Sequence, residues 1–425
     1  MESNRWSTMK YMPTVKIELK DMLMARERRK HRQDELLDRF HLPIVCFTMN
    51  IAGDVKISPK ILLAFDYGVD ELTRYAPIHS EVFYEPTGCE GYFVYSKDAN
   101  ELKNITIKIE DSDLIGRLFD MDVLDTNGIK LSRDIARSCI VCNEQAQACA
   151  RNRTHGLEAV KSRTDDILYM FAAENLSKRA VNALIEEVRT TPKAGLVDLN
   201  NNGSHTDMNV DMFIASAKSL RPYFFQAVSL GLSGGSSLSE LRAIGLNAEK
   251  AMYAATKGIN THKGANFSFL LLLYSIGRWL YDGENPFETV IKLAKAFDPP
   301  ADTHGAKVRR KYGNVGVIGE AINGLTHARK AAKLLLLHQT PVDVLLHIMS
   351  DLIDTNVLFR CGEGELTWLQ RKADEILLLP SEVRTEGILS LDAECIDRNI
   401  SAGGCADVLA LALFMSKLRV LSAFI

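Results

Sequence analysis

No run of the 425-residue sequence is apolar enough to cross a bilayer. The most apolar stretch, residues 267–280, is shorter than the roughly 20 residues a membrane helix needs, and it carries Gly277 and Arg278. The first residues contain no short basic segment leading into an apolar run, so a secretory leader is not expected. A dominant charge is missing too: 51 basic and 54 acidic residues leave a net charge of −3, and no global basic field points to nucleic acid. Cysteine is sparse. Eight in a chain this long, without a leader, point to a reducing cytoplasm. There is no internal repeat and no low-complexity linker. What remains is 46% hydrophobic and 25% charged, the mix of an ordinary globular protein, with length for two or three domains of about 150 residues each.

The pattern changes near residues 156–166. Before it, a basic amphipathic helix is expected over 15–40 around Met22, Leu23, Leu36 and Leu37. Strands are expected over 43–49, 91–95 and 118–124, with helices starting near 61 and running over 101–110. From residue 165 onward almost all periodicity is helical, broken by Gly or Pro. The expected fold class is multidomain: an α+β domain over 1–160 followed by an all-α domain over 166–425.

Polar islands interrupt the helical part. Ala173, Ala180, Val181, Leu184, Ile185 and Val188 make one apolar helix face, which Pro192 ends because it lacks an N–H and disfavours helical geometry in Thr191. A polar segment with Lys193, Gly195, Asp198, His205 and Asp207 follows. It reads either as a long solvated loop or as a site. Further islands are Asn260-Thr261-His262-Lys263-Gly264, Asp354-Thr355-Asn356 and Ser401-Ala402-Gly403-Gly404-Cys405-Ala406-Asp407. Asp354 and Asp407 also fit helix caps, and His262 fits a satisfied buried histidine. Met208, Met212 and Phe213 read as core, and residues 308–312 as a solvated basic face or, alternatively, a phosphate contact.

In the N-terminal part, Asp120 and Asp122 lie two apart in an expected strand and so share one face. Two carboxylates side by side are costly unless a cation sits between them, and Mg²⁺ bridges carboxylates to phosphates. The competing reading is an exposed polar strand end. Cys139, Cys142, Cys149 and His155 run C-x2-C-x6-C-x5-H. Such ligands could close a tetrahedral zinc site, or they could be small buried cysteines on a helix with solvated Arg151 and Arg153.

The helical islands, with Gly319-Glu320-Ala321-Ile322-Asn323-Gly324, resemble triphosphoribosyl-dephospho-coenzyme A synthase over the last three fifths of the chain. Departures are Ala194 and Ala402, where that family usually has Pro. Met24-Ala25-Arg26-Glu27, residues 47–53, residues 116–123, Cys139-Ile140-Val141-Cys142 and Cys149-Ala150-Arg151 resemble holo-citrate lyase synthase over about residues 15–160. Here Asp113 stands where that family tends to have His, and Ala52 where it tends to have Pro. The two families perform consecutive steps of one pathway.

These resemblances imply a bifunctional transferase. ATP and 3'-dephospho-CoA would give 2'-(5''-triphosphoribosyl)-3'-dephospho-CoA and adenine. Phosphoribosyl-dephospho-CoA would then pass to a Ser of the apo acyl carrier subunit of citrate lyase, with pyrophosphate leaving. The N-terminal domain would be nucleotidyltransferase-like, with Mg²⁺ on Asp120 and Asp122 and Arg117 as a substrate contact. In the helical domain Asp207, Glu320 and Asp354 are candidate catalytic carboxylates. Lys193, Gly195, Asp198, His205, Asn260, Thr261, His262, Lys263, Asn356, Gly403, Gly404 and Asp407 are candidate substrate contacts. Lysines hold phosphate as point charges, and the helix following Gly403-Gly404 can receive an anion. The rival readings are an all-α Mg²⁺ hydrolase of nucleotide N-glycosidic bonds and a non-catalytic scaffold that binds an acyl carrier protein.

Overall fold

The computed structural model describes residues 16–235, 238–297, 304–313 and 315–425. The first fifteen positions of the expected 1–160 domain, including the start of the helix expected from residue 15, lie outside the described residues. The chain divides into two compact units, 1–172 and 173–425, with the division inside the helix Leu157–Arg189.

The first unit is α+β. Its described elements are α1 (Leu19–Phe40), β1 (Ile44–Met49), α2 (Pro59–Thr73), β2 (His79–Glu85), β3 (Gly88–Val94), α3 (Ala99–Asp111), β4 (Phe119–Leu124) and α4 (Ala146–Asn152), followed by the start of α5 (Leu157–Arg189). The strands form one antiparallel sheet in the order β2-β3-β1-β4. Ile44, Val45, Cys46 and Phe47 of β1 are all buried, as a central strand with helices packed on it requires. Phe47 stacks on Phe65 of α2 at 4.7 Å and meets Phe119 of β4 edge-on at 5.1 Å. Aromatic pairs of this kind add about 0.5–1.5 kcal/mol each beyond area burial. Ser58 accepts from the Ile61 N–H ahead of Pro59, and Asp98 accepts from Asn100 and Glu101, so both flanking helices start on side-chain caps.

Strand β2 is absent from the sequence expectation. Its residues are mostly half-exposed and include Glu81 and Glu85, and its identity comes from pairing with β3 across the tight turn at Pro86-Thr87. The strand expected from residue 118 begins at Phe119, because Ile115–Leu118 form a 3-10 turn capped by Asp113, which accepts from the N–H groups of Ile115 and Gly116.

The described part of the second unit is helical throughout: the rest of α5, then α6 (Val210–Leu232), α7 (Leu238–Ala255), α8 (Lys263–Asp282), α9 (Pro286–Ala296), α10 (His304–Tyr312), α11 (Gly316–Ile322), α12 (Thr326–Leu336), α13 (Pro341–Asp351), α14 (Thr355–Arg360), α15 (Glu363–Leu377), α16 (Ser381–Asp397) and α17 (Gly403–Ser416). Helices α8 and α17 are apolar on nearly all sides, so they form the centre, and α6, α7 and α9 pack around α8. Among the described residues no helix is long and apolar enough to cross a membrane.

Candidate functional sites in the two units

In the second unit the polar islands converge on one cavity of about 860 Å³. The N-terminal ends of α8 and α17 open onto it, so backbone N–H groups and the positive ends of two helix dipoles face the same space. Close backbone approach is what builds this wall. A Cβ on Gly404 would lie 2.8 Å from Asp354 Oδ2, and one on Gly264 would lie 2.1 Å from Asp407 Oδ2. The glycines beside these islands are thus steric requirements for seating two carboxylates.

Of the candidates, Lys193, His205, Asn260, Thr261, His262, Lys263, Glu320, Asp354, Asn356, Gly403, Gly404 and Asp407 line this cavity. Their situations differ. Asp354 is buried and caps α14 through the N–H groups of Asn356 and Val357, while its second oxygen accepts from Cys405 N at 2.9 Å. The cap reading is therefore correct for it. Burial pushes its carboxyl up and these N–H groups oppose the push. Asp407 is half-buried at the start of α17, and it is held well above the usual carboxylate range by burial and then by Glu187 and Asp354. A carboxylate so destabilised is a stronger proton acceptor than an exposed one.

One oxygen of Glu320 accepts from the N–H groups of His327 and Ala328, and the other meets His327 Nδ1 at 2.7 Å. Both oxygens take part in capping α12, so Glu320, which lines the cavity, also holds the start of that helix. Three other candidates lie off the cavity wall. Asp198 folds the loop by accepting from the N–H groups of Lys193, Asn200 and Asn201. Gly195, at φ +68, donates to Asp392, and a Cβ there would come within 2.3 Å of Ile400 O. Asp207 points outward with 59% of its side chain exposed, its carboxylate 3.8 Å from His205 Nδ1. None of these three is on the wall where the other candidates meet.

Lys193 is buried, and its ammonium is 2.6 Å from Glu187 Oε1 and also donates to Glu187 O. Removing one partner of such a pair leaves a buried charge uncompensated, at a cost of about 3–5 kcal/mol. Lys263 pairs with Glu249 at 3.1 Å. His205 Nε2 lies 2.8 Å from Ser401 Oγ, and burial together with nearby Arg360 lowers its pKa. His262 is fully buried in the cavity wall. Its Nδ1 lies 2.8 Å from Ser216 Oγ, which in turn accepts from Thr261 Oγ1 at 2.7 Å. Burial depresses its pKa to about 3, so the ring is neutral. Its Nε2 is buried without a hydrogen-bond partner in the protein, as is Oδ1 of Asn266 one turn further along α8.

Glu187, Asn266 and Arg360, absent from the expected site, are on this wall, as is Arg309 from the segment weighed as a phosphate contact. Arg309 lies in the segment read as a solvated face, and Glu187 and Asn266 lie inside apolar helices where nothing local marks them. Met208 and Phe213, read as core, also line the cavity, and Phe213 meets His262 edge-on at 5.0 Å.

The first unit holds a second cavity, of about 960 Å³, lined by Arg26, Arg29, Lys56, Arg117, Arg137, Arg153 and by Asp120. One carboxylate among so many cations leaves this wall positively charged, although Arg29 is paired with Glu90 at 2.7 Å. Asp120 and Asp122 share a face of β4, opposite Thr48 and Cys46. Asp122, however, is not on the cavity wall, and its Oδ2 is 2.6 Å from Lys130 Nζ. The cation that lets these carboxylates sit together is thus Lys130, and the pair does not present two free donors to a metal. Asp120 keeps its access, with its carboxyl pushed up by burial and by Asp122. Arg117 donates to Ser138 O, and Arg137 donates to Gly116 O and Phe119 O at 2.6 Å, so both brace the wall.

Comparison with known proteins matches each unit to a family. A family model described as CitX, apo-citrate lyase phosphoribosyl-dephospho-CoA transferase, matches residues 17–171. One described as CitG, ATP:dephospho-CoA triphosphoribosyl transferase, matches residues 173–424. The chain is 35% identical to "Protein CitXG" of Haemophilus influenzae, over 95% of this chain and 97% of that protein. It is 30% identical to "Protein CitXG" of Leuconostoc mesenteroides subsp. cremoris over the same shares. A 2-(5''-triphosphoribosyl)-3'-dephosphocoenzyme-A synthase of Haemophilus ducreyi is 34% identical, over 65% of this chain and 99% of that protein. With both domain families matched in order and two-domain relatives covered over nearly their whole length, the chain belongs to the CitXG family of bifunctional transferases, which join a CitX domain to a CitG domain.

Proposed function

We propose that each cavity carries one step of citrate lyase prosthetic-group synthesis and attachment: the 173–425 unit makes the group and the 1–172 unit attaches it. The observation that supports this most is the wall of the helical cavity. Neutral His262, electrostatically strained Asp407, and cations from Lys193, Lys263, Arg309 and Arg360 meet two helix N-termini there. ATP and 3'-dephospho-CoA are the substrates. The triphosphate lies against the cations and helix ends. Asp407 takes the proton of the attacking ribose hydroxyl as the new C–O bond forms at the anomeric carbon of ATP. The C–N bond to adenine breaks, and the leaving base takes a proton equivalent to the one Asp407 received. His262 and Asn266, whose Nε2 and Oδ1 have no hydrogen-bond partner in the protein, would meet the departing base. Asn260, Thr261, Asn356, Gly403 and Gly404 shape the pocket around the sugar and phosphates.

In the 1–172 unit, the product's triphosphate sits on the basic wall and Asp120 receives the proton of the carrier Ser hydroxyl. That oxygen forms an ester to the phosphate nearest the ribose, and the bond to pyrophosphate breaks. Mg²⁺ neutralises charge on such leaving oxygens when bound. Asp120 is the residue that would hold it, with the triphosphate supplying the other donors. The antiparallel sheet with a strand-borne carboxylate beside a basic cavity supports a nucleotidyltransferase-like reading of this unit. The carrier partner is the apo acyl carrier subunit of citrate lyase.

The test is incubation with ATP, Mg²⁺, dephospho-CoA and apo carrier, with masses read for each product. Adenine formed without dephospho-CoA would mean a hydrolase. No adenine at all would leave only a carrier-binding scaffold.

A further inference from the structure

On the wall of the basic cavity, which Cys139, Cys149 and His155 help to line, the first unit gathers three thiols and an imidazole. The ligand atoms of Cys139, Cys142, Cys149 and His155 all lie within 4.8 Å of one another. Cys142 Sγ is 3.5 Å from Cys149 Sγ and 3.1 Å from His155 Nε2. A tetrahedral zinc with Zn–S near 2.3 Å and Zn–N near 2.0 Å sets ligand edges of about 3.8 Å between sulfurs and about 3.5 Å from sulfur to nitrogen. The cluster is therefore already at the size of one coordination sphere.

The backbone around it is built for the same end. Residues 139–143 make a tight knuckle. Asn143 N donates back to Cys139 O at 3.2 Å, Asn143 sits at φ 64, and the strand-like bridge Ser138–Gln145 closes the loop. The Val141 N–H points at Cys139 Sγ, 3.4 Å away, which favours a sulfur carrying negative charge. The other two ligands flank the C-terminus of α4. Cys149 lies on its inner face, and the chain reverses through Arg153 at φ 49, with Thr154 N donating to Cys149 O, to bring His155 back. Four ligands from two short segments, at positions no regular helix would bring together, argue against cysteines that are merely small apolar fillers.

We propose that Cys139, Cys142, Cys149 and His155 bind one Zn²⁺ as a structural site. Binding converts three thiols to thiolates with release of their protons to solvent, and His155 ligates as neutral imidazole through Nε2. Four protein ligands leave no open position, so the metal holds structure and does not activate water. What it holds is the wall of the basic cavity. Ser138 O, next to the first ligand, receives Arg117, and Ile140 O within the knuckle receives Arg163 of α5 at 3.1 Å. The knuckle thus ties the turn that leads into β4, the strand carrying Asp120, to the start of the long helix.

The test is metal analysis of the full chain purified under reducing conditions without chelator. About one zinc per chain is expected, and replacement by Co²⁺ should give sulfur-to-cobalt charge-transfer absorption with the intense visible bands of a tetrahedral ion. Cys142→Ser and His155→Ala should each lower bound zinc at least about tenfold at a fixed competing chelator concentration. Cys361→Ser, in the other unit, should keep it. Because a ligand variant can misfold, the wild-type measurement decides. Wild-type protein that is folded but takes up neither zinc nor tetrahedral cobalt would overturn the proposal. So would recovery of Cys142 and Cys149 as a disulfide from the reduced preparation.

Discussion

Ser216 Oγ lies 2.8 Å from His262 Nδ1, and Thr261 Oγ1 donates to that same Ser216 oxygen. With Thr261 donating to Ser216 Oγ, the Ser216 hydroxyl hydrogen is free to be donated to Nδ1, which would leave the hydrogen of the neutral ring on Nε2, an atom buried without a partner in the protein. A helix residue with no marked sequence signal thereby meets the imidazole of a site residue.

The pH consequence follows from the depressed pKa. The unfolded chain takes up a proton on this imidazole below its ordinary value of 6.5, and the folded chain only near 3. Stability from this group is present above 6.5 and is lost as pH falls from 6.5 toward 3. His262→Asn should flatten that part of the stability–pH curve. In wild type, ¹⁵N NMR of the ring should report a neutral Nε2–H tautomer at pH 5. Ser216→Ala should lower adenine release by about tenfold by freeing the tautomer, with little change in KM for ATP. An imidazolium at pH 5 would contradict the burial argument.

Asp407 and Asp207 should behave oppositely. Asp407 has a folded pKa above its ordinary 3.8, so its ionised form costs stability once pH rises past that value. Asp407→Asn should reduce adenine release at least about a hundredfold, the scale of losing a positioned base, while the melting temperature stays level or rises. Asp207→Ala, at a mostly exposed side chain, should keep adenine release within about threefold of wild type. Parallel steady-state assays and melting curves on both variants check the pair. A stable Asp407→Asn protein with normal turnover would return that carboxylate to a merely structural place.

In the first unit, Asp120→Asn should lower carrier modification by about a hundredfold, a few kcal/mol of barrier, because Asp120 faces the basic cavity. Asp122→Asn removes the partner of Lys130 and should cost no more than about tenfold. Adenine release should be unchanged in both. Carrier mass gain and adenine, read on the same samples, separate these outcomes. Equal loss in the two variants would restore the reading in which both carboxylates act together.

Much of this arrangement is legible in the sequence. Buried strands such as Ile44–Met49 carry unbroken apolar runs, and the islands at Asn260, Asp354 and Ser401 stand out because polar residues interrupt apolar helices. What each island does is not local information. Asp354, Asp407 and Glu320 look alike in sequence, yet one caps its own helix, one is crowded by two other carboxylates, and one caps a neighbour. Strand β2 escapes notice because its partner, not its composition, makes it a strand. Glu187 is hidden for the same reason. Its meaning lies in Lys193, six residues on and past a Pro-ended helix.

Adenine displacement from ATP by dephospho-CoA in one unit, followed by transfer of the product from the other, makes one joint prediction. Mass analysis of a single incubation with ATP, Mg²⁺, dephospho-CoA and apo carrier tests it most directly, run with wild type, Asp407→Asn and Asp120→Asn. Expected are adenine and modified carrier from wild type, neither from Asp407→Asn, and adenine with accumulated triphosphoribosyl-dephospho-CoA from Asp120→Asn. Adenine released equally with and without dephospho-CoA, or loss of adenine in Asp120→Asn, would contradict it.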